Sequence, residues 1–185
     1  PFDKAFTMNF SENGNYIAIG SSKLFSKVFD AKTGKELHYF KSDSEKGCDG
    51  CGTLVKISPN EKYVFSISSK KDGILWNLKS GKQIKKFGDF EKRPTNIAFT
   101  ANEKFLLISS VNQVYVYDIE SGKLKLKLDN KWIRYYEVKF QKSHHQFILP
   151  SKNNIIDIWD AQNGRKIKTL KGYLNQQRAD GLKYD

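Results

Sequence analysis

Apolar residues in this chain come in short runs, each closed by polar turn residues, and the runs are of two kinds. Phe105-Leu106-Leu107-Ile108 is apolar without a break, the pattern of a strand buried on both faces. Leu124-Lys125-Leu126-Lys127-Leu128 mixes charge with apolar residues, the pattern of an outer strand whose lysines block pairing with other chains. Tight turns join the two kinds of run. Between Ile155 and Leu170 a strand ends at Trp159-Asp160, a turn closes at Gly164, and the return strand carries basic residues between apolar ones, which is a hairpin signature. The same arrangement leads to Gly34, Gly81 and Gly122, so the turn glycines stand 47, 41 and 42 residues apart.

Turn residues cut each repeat into four predicted strands. In the first repeat these are Phe6 to Phe10, Tyr16 to Gly20, a strand ending at Val28-Phe29 after a loop from Ser21 to Lys27, and Glu36 to Phe40. The second has Leu54 to Ile57, Tyr63 to Ser68, Ile74 to Trp76 after a turn through Asp72-Gly73, and Gln83 to Phe87. The third has Asn96 to Phe99, Phe105 to Ser109, Val114 to Tyr117 and Leu124 to Leu128; the fourth has Glu137 to Phe140, Phe147 to Leu149, Ile155 to Trp159 and Lys166 to Leu170. The first-strand residues Phe10, Ile57, Phe99 and Phe140 keep nearly the period of the glycines. That period lies near the ~40–45 residues of a propeller blade. The predicted fold is all-β: four four-stranded antiparallel blades of a β-propeller, at about 6–40, 54–87, 95–128 and 136–170 of a single domain over 1–185. An irregular sandwich is the rival, and four landmarks recurring in phase argue against it.

The pairs Trp159-Asp160, Phe29-Asp30, Trp76-Asn77 and Tyr117-Asp118, with Val55-Lys56-Ile57-Ser58-Pro59-Asn60 as strand and turn, resemble the WD-repeat β-propeller family. The resemblance covers nearly the whole chain. It implies structural roles for Phe29, Trp76, Tyr117, Trp159 and Asp160 beside the turn glycines Gly34, Gly81, Gly122 and Gly164. Family members often carry Gly-His before the first strand and an Asp that joins a Ser and the Trp in a hydrogen-bond network. Here Gly172-Tyr173 stands where Gly-His is expected, and His38, His144 and His145 fall elsewhere. Asp72 with Trp76 and Ser66 or Ser68 matches part of the network. The repeats are therefore degenerate, and no subfamily is indicated.

Composition narrows the class. The chain of 185 residues is 38% hydrophobic and 28% charged, as befits a globular domain, and has no apolar run of the ~18 residues a membrane helix needs. Pro1-Phe2-Asp3-Lys4 lacks a signal-peptide layout, and two cysteines are too few for a disulfide-built fold. An intracellular, cytoplasmic setting without membrane attachment is the expectation. The net charge of +12 favours acidic partners, yet the basic residues are spread along the repeats rather than gathered in a block, which a solubilising surface also explains.

Few residues suggest chemistry. Cys48 and Cys51 have the spacing of half a zinc site, but no second pair or nearby histidine completes it; an inert loop pair, a labile disulfide and a metal site shared with another chain stay open. The adjacent His144 and His145 have no third ligand in view and read as an exposed turn. Ser80-Gly81-Lys82 and Ser121-Gly122-Lys123 lack the other residues of a phosphate loop and read as turns. Neither a catalytic arrangement nor a cofactor motif is found, so a non-enzymatic role without cofactor is expected.

Two sets of residues suggest contact with a partner. Lys131, Trp132, Arg134 and Tyr135 bring cations and large aromatics into one loop, residue types that dominate binding hot spots and can stack on RNA bases; Trp132 could equally fill the gap between adjacent blades. Lys35, Lys82, Lys123 and Arg165 each follow a turn glycine, and in a ring of blades they would form an arc on one face, opposite the Cys48 and Trp132 loops. The leading reading is a scaffold or adaptor binding other proteins of a multi-subunit assembly through its loops. The alternatives are an RNA-associated component of a ribonucleoprotein and a regulatory propeller appended to an enzyme. Ala179 to Tyr184 resembles another first strand over 179–185, so further blades of the same polypeptide, or a second copy of this chain, are expected to complete the ring.

Overall fold

The computed structural model describes residues 4–41, 52–68, 72–88, 90–129, 139–140, 145–151 and 155–171. Within them the protein is all-β, with sixteen strands in four four-stranded antiparallel sheets. The first sheet is β1 (Ala5–Phe10), β2 (Tyr16–Ser21), β3 (Phe25–Asp30) and β4 (Glu36–Lys41). The second is β5 (Leu54–Ile57), β6 (Tyr63–Ile67), β7 (Asp72–Asn77) and β8 (Gln83–Gly88). The third is β9 (Pro94–Phe99), β10 (Phe105–Ser110), β11 (Gln113–Asp118) and β12 (Leu124–Asp129). The fourth is β13 (Lys139–Phe140), β14 (Gln146–Ser151), β15 (Ile155–Asp160) and β16 (Lys166–Lys171). Strands pair in chain order within each sheet.

β3 and β7 begin within segments that the sequence pattern assigns to a loop and a turn. Phe25 to Lys27 belongs to β3 rather than to a loop, because Gly20 pairs with Ser26 across a turn whose Leu24 has φ 63°. Asp72-Gly73 opens β7 rather than forming a turn. Gly73 is there for space: a Cβ on it would lie 2.2 Å from Cζ of Phe65. In the fourth repeat β13 is described over Lys139–Phe140, and residues 136–138 of the predicted repeat fall outside the described residues.

The first turn of each of the first three repeats is held by a side chain. Ser11, Ser58 and Thr100 are buried, and their hydroxyl oxygens accept from the backbone N–H groups of Tyr16, Tyr63 and Phe105. The β3–β4 turn and its equivalents have another recurring lock. Asp30 Oδ1 accepts from the N–H and hydroxyl of Thr33; Asn77 and Asp118 do the same for Ser80 and Ser121. Asp160 Oδ1 accepts from the N–H groups of Gln162 and Asn163. Each turn then closes at a glycine with positive φ, 72° at Gly34, 68° at Gly81, 72° at Gly122 and 71° at Gly164, a conformation glycine adopts without a Cβ penalty.

Neighbouring sheets stack face to face with apolar layers between them. Ala18, Val28 and Phe40 of the first sheet meet Val55, Ile57 and Val64 of the second. Phe65, Leu75 and Phe87 of the second meet Phe99, Leu106 and Tyr117 of the third, and Leu107 and Val116 of the third meet Phe147 and Leu149 of the fourth. The first strands of successive sheets lie side by side, β1 by β5, β5 by β9 and β9 by β13. Thr7 donates its hydroxyl to the Thr53 carbonyl and Asn9 its amide to that of Val55, which ties the first pair together.

Candidate partner-binding surface

Antiparallel order puts the β1–β2 turn and the β3–β4 turn at the same end of the first sheet, and the equivalent turns at that end of every other sheet. Lys35, Lys82, Lys123 and Arg165 therefore share this end, and all four are exposed. Their backbone carbonyls accept from the N–H groups of Asp30, Asn77, Asp118 and Asp160, which fixes the main chain and leaves the cationic tips outward.

The turns are linked in series. His38 Nε2 lies 2.7 Å from the Leu78 carbonyl, and Lys85 Nζ donates to the Glu120 carbonyl, so a fourth strand reaches the turn of the following sheet. Asn15 donates to Glu61 at 2.9 Å, and the Asn60 N–H donates to Glu103 at 2.9 Å. This end of the molecule is a set of hydrogen-bonded turns rather than independent loops.

A cleft of about 250 Å³ opens where the four first strands converge. Its walls include Phe10, Ile57, Phe99 and Phe140, one from each sheet, with Lys56, Lys139, Glu12 and Asn96 supplying polar groups. Sequence reading identified the four apolar residues as a periodic landmark but not as a lining. Only the adjacency of four strands distant in sequence brings them together. The locking role of Asp30, Asn77 and Asp118 was also missed, although Asx followed three residues later by Ser or Thr, just before Gly, carries the signal.

Electrostatics at the turns follow the hydrogen bonds. The Thr33 hydroxyl, and then its N–H, hold the Asp30 carboxyl below its ordinary pKa. The Ser121 N–H and hydroxyl do the same for Asp118. At the opposite end, Lys127 and then Gln113 hold the Glu91 carboxyl low, while burial pushes the Tyr115 hydroxyl up. Buried Gln113 donates to Glu91 and Asp129 and accepts from Tyr115, a satisfied network that ties β11 and β12 to the segment before β9.

Of the side chains expected to have structural roles, Trp76 donates its indole N–H to Ser66 Oγ at 2.9 Å, selecting Ser66 over Ser68. Phe29 and Trp159 are half-buried and Tyr117 is buried. His145 packs edge-on against Phe105 and is half-buried rather than exposed. Cys48, Cys51, Lys131, Trp132, Arg134, Tyr135 and His144 lie outside the described residues, as do 179–185. Among the described residues no three His, Cys, Asp or Glu side chains cluster as a metal site would require, and no helix is long and apolar enough to cross a membrane. No family model matches the chain, and no curated protein sequence matches it.

Proposed function

We propose that the four sheets are blades of a WD-repeat-like β-propeller, and that the protein is a non-catalytic scaffold whose turn-bearing end docks on an acidic surface of a partner protein. The observation that carries this reading is the repetition of one exposed cation, Lys35, Lys82, Lys123 or Arg165, at the same place in four turns, of which the second and third are each hydrogen-bonded to the fourth strand of the preceding sheet. A single exposed lysine is worth little, but several like charges on rigid backbone raise the local potential and steer an oppositely charged partner. The cleft between the first strands, with both apolar and polar walls, lies at this end and can seat a side chain of the partner.

A poly-glutamate peptide and a single-stranded RNA serve as defined probes. Changing all four cations to Glu lowers the formal net charge from +12 to +4 and removes no side-chain hydrogen bond described here. Peptide affinity is expected to fall tenfold or more with the melting temperature unchanged, since ~1.4 kcal/mol corresponds to tenfold. Unchanged peptide affinity would refute the assignment. Tighter binding of RNA, with the steep salt dependence of counterion release, would instead mark a ribonucleoprotein component.

A further inference from the structure

We propose that the outer strands β4, β8 and β12, with the turns they touch, form a docking rail for an extended acidic segment of a partner protein that carries aliphatic side chains among its carboxylates. The proposal rests on the acidic-partner reading above and adds to it an apolar half and a path along the molecule.

Each outer strand carries the same irregularity. Glu36 pairs with Phe29 and His38 with Val28, so Leu37 is an extra residue in β4. Ile84 in β8, Lys125 in β12 and Ile167 in β16 are extra in the same way, each next to the residue that resumes pairing. Bulges of this kind re-aim side chains and are built features rather than defects. Here they coincide with apolar exposure. Leu37 is 37%, Ile84 45% and Ile167 49% exposed, and in β12, where the bulge holds a lysine, the adjacent Leu124 is 46% exposed. A single exposed aliphatic needs no explanation, but one at or next to the bulge of every outer strand does. Protection of a sheet edge accounts for the lysines of these strands, not for the aliphatics beside them.

The bulges are set against the cationic turns. His38, the residue after Leu37, lies 2.7 Å from the Leu78 carbonyl and fills the space that a Cβ on Gly81 would enter. Lys85, after Ile84, fills that space at Gly122, and Leu126, after Lys125, fills it at Gly164. Lys82, Lys123 and Arg165 are the next residues after these glycines. The bulge of one sheet therefore stands beside the cationic turn of the next. Leu37 and Ile84 belong to junctions inside the described stack, so the arrangement is independent of what covers its outward faces.

Charge identifies the occupant. Strands β8, β12 and β16 carry seven lysines and one carboxylate, Asp129. Lys127 is paired with Glu91 and Lys166 with Asp157, and Glu36 of β4 is paired with Lys27. The cationic excess that is left, with the turn cations, selects carboxylates. Leu37, Ile84 and Leu124 select aliphatic side chains between them. A nucleic acid would use the cations and leave the aliphatics bare.

Two synthetic peptides of equal charge test the rail by fluorescence anisotropy with the 185-residue chain. One is poly-glutamate, and the other has leucines interspersed among its glutamates. The parent chain is expected to bind the leucine-bearing peptide tenfold or more tighter. Leu37→Ser combined with Ile84→Ser, both at exposed sites, should remove that preference while poly-glutamate affinity and the circular dichroism spectrum stay unchanged. Ile148→Ser, at a site 42% exposed on the outward face of the fourth sheet, should keep the preference. Equal binding of the two peptides by the parent, a preference that survives the double variant, or one that is lost in Ile148→Ser would each overturn the rail while the acidic-partner reading stands. Binding of neither peptide would overturn both.

Discussion

The middle of the stack and its two ends carry the same repeat in different surroundings. Leu126 and Leu128 of β12, the outer strand of the third sheet, are half-buried, while all six residues of β16, the outer strand of the fourth, are exposed. In β1 the burial pattern runs from exposed to half-buried without one buried position, although Phe6, Met8 and Phe10 are as apolar as Leu54, Val55 and Ile57 of β5. Intrinsic strand preference is similar in these segments. The presence of a neighbouring sheet decides the burial, so equal substitutions at equivalent positions should differ widely in cost.

The largest contrast lies in the core. Leu107→Ala, at a position 0% exposed in the third sheet, is expected to destabilise by ~2–5 kcal/mol in chemical denaturation. Ile148→Ala, at the equivalent position of the fourth sheet, should cost less than ~1.5 kcal/mol, because water already reaches it. Equal losses at the two sites would mean that the face carrying Ile148 is covered.

The turn glycines sharpen the comparison at intermediate size. Gly81→Val and Gly34→Val both force a β-branched residue into positive φ, at roughly 1–3 kcal/mol each. At Gly81 the new Cβ would also come 2.6 Å from Nδ1 of His38, whereas at Gly34 it meets nothing within 4 Å. A larger fall in melting temperature for Gly81→Val is therefore expected. If Gly34→Val proved as damaging, the backbone angle alone would govern these turns.

A smaller effect of the same kind is expected at the first turns. Ser58→Ala removes the acceptor for the Tyr63 N–H at a fully buried site, at a cost of about 1–3 kcal/mol. Ser11→Ala, in the first sheet where the serine is 5% rather than 0% exposed, should cost less because water can replace the hydroxyl. Parallel thermal melts would show whether the end sheet is the more tolerant.

The smallest effect is in pH. Asp30 and Asp118 titrate below the ordinary carboxylate value when folded, so the unfolded chain binds their protons first as pH falls. Their contribution is present above the unfolded value of about pH 3.9 and is lost as pH drops through the lower folded values. Asn77 holds the same turn in the second sheet without a charge. Asp30→Asn with Asp118→Asn should accordingly flatten the acid limb of the stability curve while leaving neutral stability nearly unchanged. An unaltered acid limb would show that other carboxylates set it.

Local chemistry made the turns and most strands legible from sequence. The glycines at 34, 81, 122 and 164 were readable because positive φ is a property of one residue, and the four-strand repeat because burial on one or two faces leaves its own period. Asp72-Gly73 misled for the same local reason: glycine usually marks a turn, and only the Phe65 ring lying over Gly73 shows that it makes room within a strand. Topology placed the four cations at one end, as the repeat implied.

The cleft lined by Phe10, Ile57, Phe99 and Phe140 was not legible, because its walls come from strands some forty residues apart that touch only after the sheets stack. By itself the sequence determined the strands, their order within each sheet and the turns that join them, since these depend on interactions between residues close along the chain. Tertiary structure alone decided which faces are covered. Ala18 and Ile148 occupy the same register position, yet one is 0% and the other 42% exposed, because burial depends on a second sheet that neither residue can specify.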